Sequence, residues 1–556
     1  MKSVRSLIDG FVWNHIEYFS EMVYEGGKDT EFMNVRVLDD PEKFVCGALS
    51  CAEAALCVHY FVTKDKRAEV SLKRLVRFLS YTSESDIKTW GKLSTLKALV
   101  TLKRAGLLNK IGEEQLSVLK EKTDYSDFFD KETLTLKGAP TNYLQVAMSC
   151  AGLRNILGWE DGKYCRLIAG KLMAVMSRSS SEGWMDEQPP YGRFDRYSLI
   201  ISSEMSDSLQ NLGLDFPQSL SENLKKASDF ALFSANNRGD GINFGRSLSC
   251  HGDCATAEIL SSALARRLIE NKDITLAVAY AIRIIEKTLN FWYDSNRKSF
   301  NIWWDGRSTN NYRQVHRVLE VNLDMAMHLI STLNNFTAAG LDNCCPEIAL
   351  PSPGNWICRE VNFEKHPGCK YSLYTLRYGD ITAMLPLTGL GNNFKNSGYM
   401  PYPAICGFLE AAPEAKMPFL TPEFVLKNGK RARPVQFFTD SFATTTSNGV
   451  KITAVGKLCS FEGKIPEALE ETFKSEYRFE NGTITALFTA DAEIESVSMV
   501  IGIHRADDEI SPVNFDITTG ISTDGVYDFM TPHGPVVSAW LCSGKSSCVG
   551  YLAKIR

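Results

Sequence analysis

Residues 331–355 read STLNNFTAAGLDNCCPEIALPSPGN, and the texture of the chain changes across them. Upstream, from about Phe44 to about Ala338, apolar residues recur at helical spacing, as in LSTLKALVTLKRAGLL, TNYLQVAMSCAGLRNILG, DCATAEILSSALARRLIE and AVAYAIRIIEKTLNFWY. In the third of these, Ile259, Leu260, Ala263, Leu264 and Leu268 fall on one helical face and the charges on the other. Downstream, short β-prone runs such as GVKITAVGK, NGTITALFTA, SVSMVIGIHR and PVVSAWLCSG alternate with Gly, Asn and Pro punctuation. EYRFE followed by NGTIT predicts a hairpin turning at Asn481 and Gly482.

These textures predict an α+β chain of separate layers: a helical domain over residues 1–345 and an antiparallel β-sandwich over 346–556. Roughly ten consecutive helices of ordinary length fit an (α/α) toroid or a solenoid, and the lack of a fixed-period repeat argues against the solenoid. A toroid leaves a central depression rimmed by helix-connecting loops, where functional side chains tend to gather.

Composition removes other readings. The 556 residues carry a formal net charge of -5, with 44% hydrophobic and 23% charged residues, as in an ordinary globular protein. Without a basic stripe, this balance repels a phosphate backbone, so nucleic acid is not an expected partner. The N-terminal MKSVRSLIDGFVWNHIEYF is broken by Asp9 and Gly10 and does not read as a secretory signal. No apolar run reads as long enough to cross a membrane, and no membrane association is expected. The 15 cysteines are odd in number and irregularly spaced, which fits reduced thiols and a cytoplasmic protein. Oligomeric state is not legible.

Three stretches of the helical half are unlike packing sequence. GAPTNYLQ places Asn142 and Tyr143 after a proline at a helix start, either as a cap or as an amide and a ring aimed into the cleft. EGWMDEQPPYGRFDRYSL crowds Trp184, Asp186, Tyr191, Arg193, Asp195, Arg196 and Tyr197 into one loop. Aromatic faces and planar donors suit a sugar bearing a carboxylate, although a solvated loop with ordinary ion pairs would also carry them. NFGRSLSCHGDCATAEIL brings Arg246, Cys250, His251 and Cys254 together. A structural zinc site there would need a second ligand pair, which no nearby spacing supplies. The more economical reading sends Arg246 and His251 into the cleft and packs the thiols. A fourth stretch, FNIWWDGRSTNNYRQVHRVLE, offers Trp303 and Trp304 for stacking on sugar rings or for filling the core.

In this order, PTNY, GWMDEQPPYGRFDRYS and FGRSLSCHGDCA resemble the motifs of the toroid family called domain of unknown function 2264, a relative of heparinase and chondroitin lyase toroids. Tyr143 stands where that family has tryptophan, Arg196 where it has the first tyrosine of a pair, and SCHG where it continues Thr-Tyr-Arg-Phe. The resemblance implies a lyase that cleaves uronic-acid saccharides by β-elimination. Such chemistry needs donors where carboxylate charge develops, a role for Asn142 and Arg246, and a base and an acid, for which Tyr197 and then His251 are the candidates. Tyr143, Trp184, Asp186, Tyr191, Arg193, Asp195, Arg196, Trp303 and Trp304 are expected to border the sugar. The scheme calls for no metal or other cofactor, takes an anionic oligo- or polysaccharide, and in a cytoplasmic protein favours exolytic action on short chains.

Two other readings stay open. A toroid glycoside hydrolase acting on unsaturated uronyl saccharides would use a carboxyl pair, Asp186 or Glu187 with Asp195. A carbohydrate-binding protein would use the aromatic clusters without turnover.

Overall fold

The architecture comes from a computed structural model, which describes residues 2–40, 44–179, 182–188, 192–242, 244–309, 313–363, 368–390, 396–414, 417–463, 465–502 and 513–555. Among these the helical half contains α1 (Val4–Asp9), α2 (Val12–Gly26), α3 (Val45–Thr63), α4 (Ala68–Glu84), α5 (Thr89–Arg104), α6 (Glu113–Lys122), α7 (Tyr143–Leu157), α8 (Lys163–Ser179), α9 (Arg196–Leu212), α10 (Gln218–Phe233), α11 (Cys250–Ala265), α12 (Ile274–Lys287) and α13 (Val318–Ala339). Helices α1 and α2 precede Phe44, where the sequence reading begins its helical run. Val12, Ile16, Phe19 and Val23 form the buried stripe of α2.

Alternate helices close a ring. Helix α3 packs on α5, α5 on α7, α7 on α9, α9 on α11, α11 on α13, and α13 returns to α3. Helices α2, α4, α8, α10 and α12 lie against members of that ring from outside. This explains one error in the sequence reading. Helix α11 was expected to be amphipathic, but every residue from Cys250 to Leu264 is buried, because α9, α10, α12 and α13 all contact it. It also corrects the membrane reading. Helix α3, VCGALSCAEAALCVHYFVT, is long and apolar enough to cross a membrane, and here its apolarity serves burial inside the ring. Its one carboxylate, Glu53, accepts from the Ser71 hydroxyl at 2.5 Å.

The C-terminal part begins its larger sheets at Ile357 and holds three of them among the described residues, all antiparallel. The four-stranded sheet runs, in spatial order, 404–405, 381–387, 372–378, 357–362. The five-stranded sheet runs 431–432, 423–426, 494–501, 534–544, 522–531, and the six-stranded one 438–446, 449–460, 467–480, 483–491, 548–555, 513–519. Asn481 (φ 48°) and Gly482 (φ 71°) make the expected hairpin turn, joining Glu480 to Thr483 across the pair. Left-handed conformations at both positions match the right-handed twist of the flanking strands.

The two halves meet at a close backbone approach. The Gly245 amide donates to the Gly398 carbonyl at 2.7 Å. Gly245 has φ +84°, and a Cβ there would stand 2.3 Å from Asp195 Cβ, so only glycine fits.

Candidate functional site

The capping residue of α9 organises the site. Asp195 accepts from the Tyr197 amide at 2.8 Å, and the Ser198 side chain completes a capping box with the Asp195 amide. This sets Arg196 and Tyr197 in the first turn of an inner-ring helix. Two guanidiniums, those of Arg196 and Arg246, each lie 4.2 Å from the centroid of the Tyr197 ring. Its hydroxyl donates to Ser247 Oγ at 3.0 Å and accepts from Arg196 Nη2 at 2.8 Å and Arg313 Nη2 at 3.4 Å. Burial pushes the phenol up, but the charges of Arg196, Arg313 and Arg246 with the Ser247 hydrogen bond outweigh it and hold the pKa below the ordinary tyrosine value. Ser247 (φ 52°) and Ser249 (φ 83°) are in left-handed conformations, so the loop carries backbone strain beside the phenol.

Arg246 is committed to two buried carboxylates: its Nη2 bonds Glu187, and its Nε donates to Asp195 Oδ2 at 3.1 Å. Arg193 stands 3.4 Å from the same Glu187 oxygen and donates from Nε to the Tyr399 hydroxyl at 3.2 Å. Tyr399 in turn donates to Asp195. Burial, with the repulsion of Asp195, raises the Glu187 carboxyl to about 7 against the pull of Arg246 and Arg193. Arg246 therefore polarises the face of Tyr197 rather than offering a free donor.

His251 sits in the first turn of α11, with Nε2 3.8 Å from Asp324 Oδ2 and Nδ1 3.7 Å from Cys250 Sγ. Burial, reinforced by the charges of Arg313 and Arg196, holds its pKa well below the usual value, so the imidazole is neutral. Arg196 fixes that turn by donating to the His251 carbonyl at 2.9 Å. Asn142 occupies the N-cap position of α7, yet its side chain makes no capping bond, and its Oδ1 is buried without a hydrogen-bond partner. The capping bond expected as one alternative is therefore not made. Asn142 adjoins the cluster, since Thr141 donates to the Glu187 carbonyl at 3.3 Å.

Several expected sugar-bordering residues are elsewhere. Trp184 is 1% exposed and packs on Phe230, Phe244 and Phe363, so it has no free face for a sugar. Tyr143 packs edge-on against Trp90 and Phe128. Asp186 accepts from the amides of Gln188 and Arg193, at 2.8 and 3.0 Å, and shapes the loop. Trp303 acts at one remove: its indole donates to the Arg313 carbonyl at 2.6 Å, while its ring meets Trp304 edge-on. Trp304 lies near Arg297. Tyr191 is outside the described residues. The hydrolytic pair drawn from Asp186, Glu187 and Asp195 consists of buried groups already engaged with backbone amides or guanidiniums.

The ring adds groups that the sequence reading missed. Asp324 and His328, one turn apart on α13, have side chains 34% and 20% exposed, and His328 Nδ1 lies 2.9 Å from Glu258 Oε1. Burial opposes charging of His328, but Glu258 and Asp324 overcome it and raise its pKa well above normal. Asp324 is held well below the usual carboxylate range by His328, Arg313 and His251, against the cost of burial. Glu204 is pushed up to about 7 by burial and by Glu258. Glu204 follows Tyr197 by seven residues, and Glu258 follows His251 by seven. Two helical turns put each pair on one face, which was the available signal.

Cys250 and Cys254 are buried thiols that burial keeps protonated, Cys250 at about 12. They pack with Trp292, Phe300 and Met325. Among the described residues, no group of three metal-ligating side chains includes either of them or His251.

No family model matches the chain, so the likeness to domain of unknown function 2264 is one of short motifs. No curated protein matches it either. Among solved structures, the chain is similar to heparinase III, at 9% identity and TM-score 0.49, over 99% of this chain and 86% of that one. It is similar to heparan sulfate lyase HepC from Pedobacter heparinus, at 10% identity and TM-score 0.38, over 92% and 76%. It is also similar to an unsaturated glucuronyl hydrolase from Bacillus sp. GL1, at 12% identity and TM-score 0.41, over 61% and 97%.

Proposed function

We propose that this protein is a carbohydrate lyase that cleaves uronate-containing saccharides by β-elimination, with Tyr197 as the principal proton-transfer residue. One observation carries the reading: the Tyr197 hydroxyl meets Ser247, Arg196 and Arg313, and the Arg196 and Arg246 guanidiniums each lie 4.2 Å from its ring centroid. A phenol so placed ionises more readily than an ordinary tyrosine, which is what a proton-abstracting base requires.

In the reaction, the phenolate takes the proton beside the uronate carboxylate. The released electron pair forms the carbon–carbon double bond as the glycosidic carbon–oxygen bond breaks, and a proton passes to the departing oxygen. Tyr197 can return the proton it took to that oxygen; the neutral His251 imidazole is the alternative base, in which case the Tyr197 phenol is the acid. Arg313 and the Asn142 amide supply hydrogen bonds as negative charge builds on the carboxylate. The substrate class is an anionic oligosaccharide or polysaccharide, and exolytic attack on short chains is the mode we favour.

The test is a panel of uronic-acid oligosaccharides followed by the ultraviolet absorbance of the new conjugated double bond. Absorbance should rise, and Tyr197→Phe should lower kcat by about a hundredfold or more. A hydrolase reading draws support from the part-exposed Asp324 and from Glu204 at about 7. Cleavage without absorbance gain, abolished by Asp324→Asn, would replace the lyase with it. Saccharide binding without any cleavage would leave a binding protein.

A further inference from the structure

Two segments of the β-half converge on the helical ring. One is the loop around 402–413. The other is the turn between the strands 522–531 and 534–544. They bring together Cys406, Glu410 and His533, whose ligating atoms all lie within 4.8 Å of one another. The three residues are 8%, 6% and 8% exposed.

We propose that Cys406, Glu410 and His533 bind a zinc ion that staples these two segments together beneath the ring. The imidazole is the first reason. A buried histidine ordinarily gives its N–H to an acceptor and takes a hydrogen bond on its other nitrogen, because leaving both unmet in a dry site is costly. Neither ring nitrogen of His533 has a hydrogen-bond partner. Nδ1 nevertheless stands 2.6 Å from Glu410 Oε1, a contact lacking the alignment of a hydrogen bond. A cation between such lone pairs satisfies both.

The surroundings provide the second reason. Thr531 Oγ1 donates to Glu410 Oε2 at 3.0 Å, orienting the carboxylate from behind as outer partners of metal ligands do. Phe291 and Trp292 enclose the imidazole, with ring centroids 5.6 and 4.7 Å away. Arg238 from the ring donates to the Cys406 carbonyl at 2.8 Å, which fixes the backbone that carries the thiol. Beside the cluster lies a cavity of about 430 Å³ lined in part by Gly407, His533, Asn237 and Lys287, which gives an ion a way in.

The donor set selects the metal. One thiolate, one imidazole and one carboxylate suit zinc and not the all-oxygen shells of magnesium or calcium. Three protein ligands leave a fourth tetrahedral position for water, on the side of the cavity. Thiolate and carboxylate together balance the charge of the ion. Burial, with Asp240 nearby, pushes the Cys406 thiol up without metal, and zinc would release that proton on binding.

The experiment uses the full chain, stripped with a chelator, dialysed and titrated with zinc sulfate. One tightly bound zinc per chain is expected by elemental analysis, with Tm raised by roughly 3 °C or more at saturation. Replacement by cobalt should give thiolate-to-cobalt charge-transfer absorption. Cys406→Ser should remove that band, and His533→Ala should weaken zinc binding by at least about tenfold. Cys344→Ser, at an exposed thiol outside the cluster, should change neither. Glu410→Gln serves as a further ligand variant if circular dichroism shows that another is misfolded. No stoichiometric zinc in the wild-type chain would overturn the proposal, and so would binding indifferent to Cys406 and His533. None of these readouts involves Tyr197 or saccharide turnover.

Discussion

Nε of Arg193 donates to the Tyr399 hydroxyl at 3.2 Å, tying the loop before α9 to the β-half of the chain. The same hydroxyl donates to Asp195, the residue that caps α9 and anchors Arg246. The β-half therefore braces the residues that hold Tyr197 in place. Tyr399→Phe keeps the ring and removes both bonds. It should destabilise the protein by about 1–3 kcal/mol, the cost of stranding buried charged partners, as read from denaturant unfolding. An unchanged midpoint would mean that the bracing is negligible.

Tyr197 should titrate below the ordinary tyrosine value. In difference absorbance, wild type should show a phenolate step that is missing from Tyr197→Phe and moved to higher pH in Arg196→Gln. Because the folded pKa is depressed, this group adds stability above the unfolded-state pKa of about 10, and the gain is lost as pH falls through the folded value. A step that stays put in Arg196→Gln would show that the guanidinium does not control the phenol.

Glu204 has the opposite sign. Its folded pKa of about 7 lies above the ordinary glutamate value of 4.5, so its ionisation costs stability progressively as pH rises between the two. Glu204→Gln should therefore match wild type in Tm near pH 4 and exceed it near pH 8. Equal Tm at both pH values would remove the burial and the Glu258 repulsion from the account.

Gly245→Ala tests the junction. Its φ of +84° and the 2.3 Å approach of Asp195 to a would-be Cβ leave no room for a methyl group. The variant should lose about 2 kcal/mol or more, and turnover should fall further than stability alone explains, since Asp195 must move. Normal folding and turnover in this variant would show that the loop is pliant.

By itself the sequence determined the order of the parts. Periodic apolar spacing marked the helices of the first half, alternation and punctuation marked the strands of the second, and Asn481 with Gly482 dictated one hairpin, because these signals are local properties of the backbone. It also singled out the loops carrying Asn142, Arg196, Tyr197, Arg246 and His251. Local spacing does not say whether a helix lies inside or outside a ring, so α11 read as amphipathic when it is buried on every face. Nor does it separate an aromatic that fills a core from one that meets a ligand, and Trp184 proved to be the former. Only the closing of the ring brought Arg313 beside Tyr197 and Asp324 beside His251, pairs far apart along the chain. Those contacts depend on which helix faces neighbour one another in space, a long-range packing outcome that sequence periodicity does not encode.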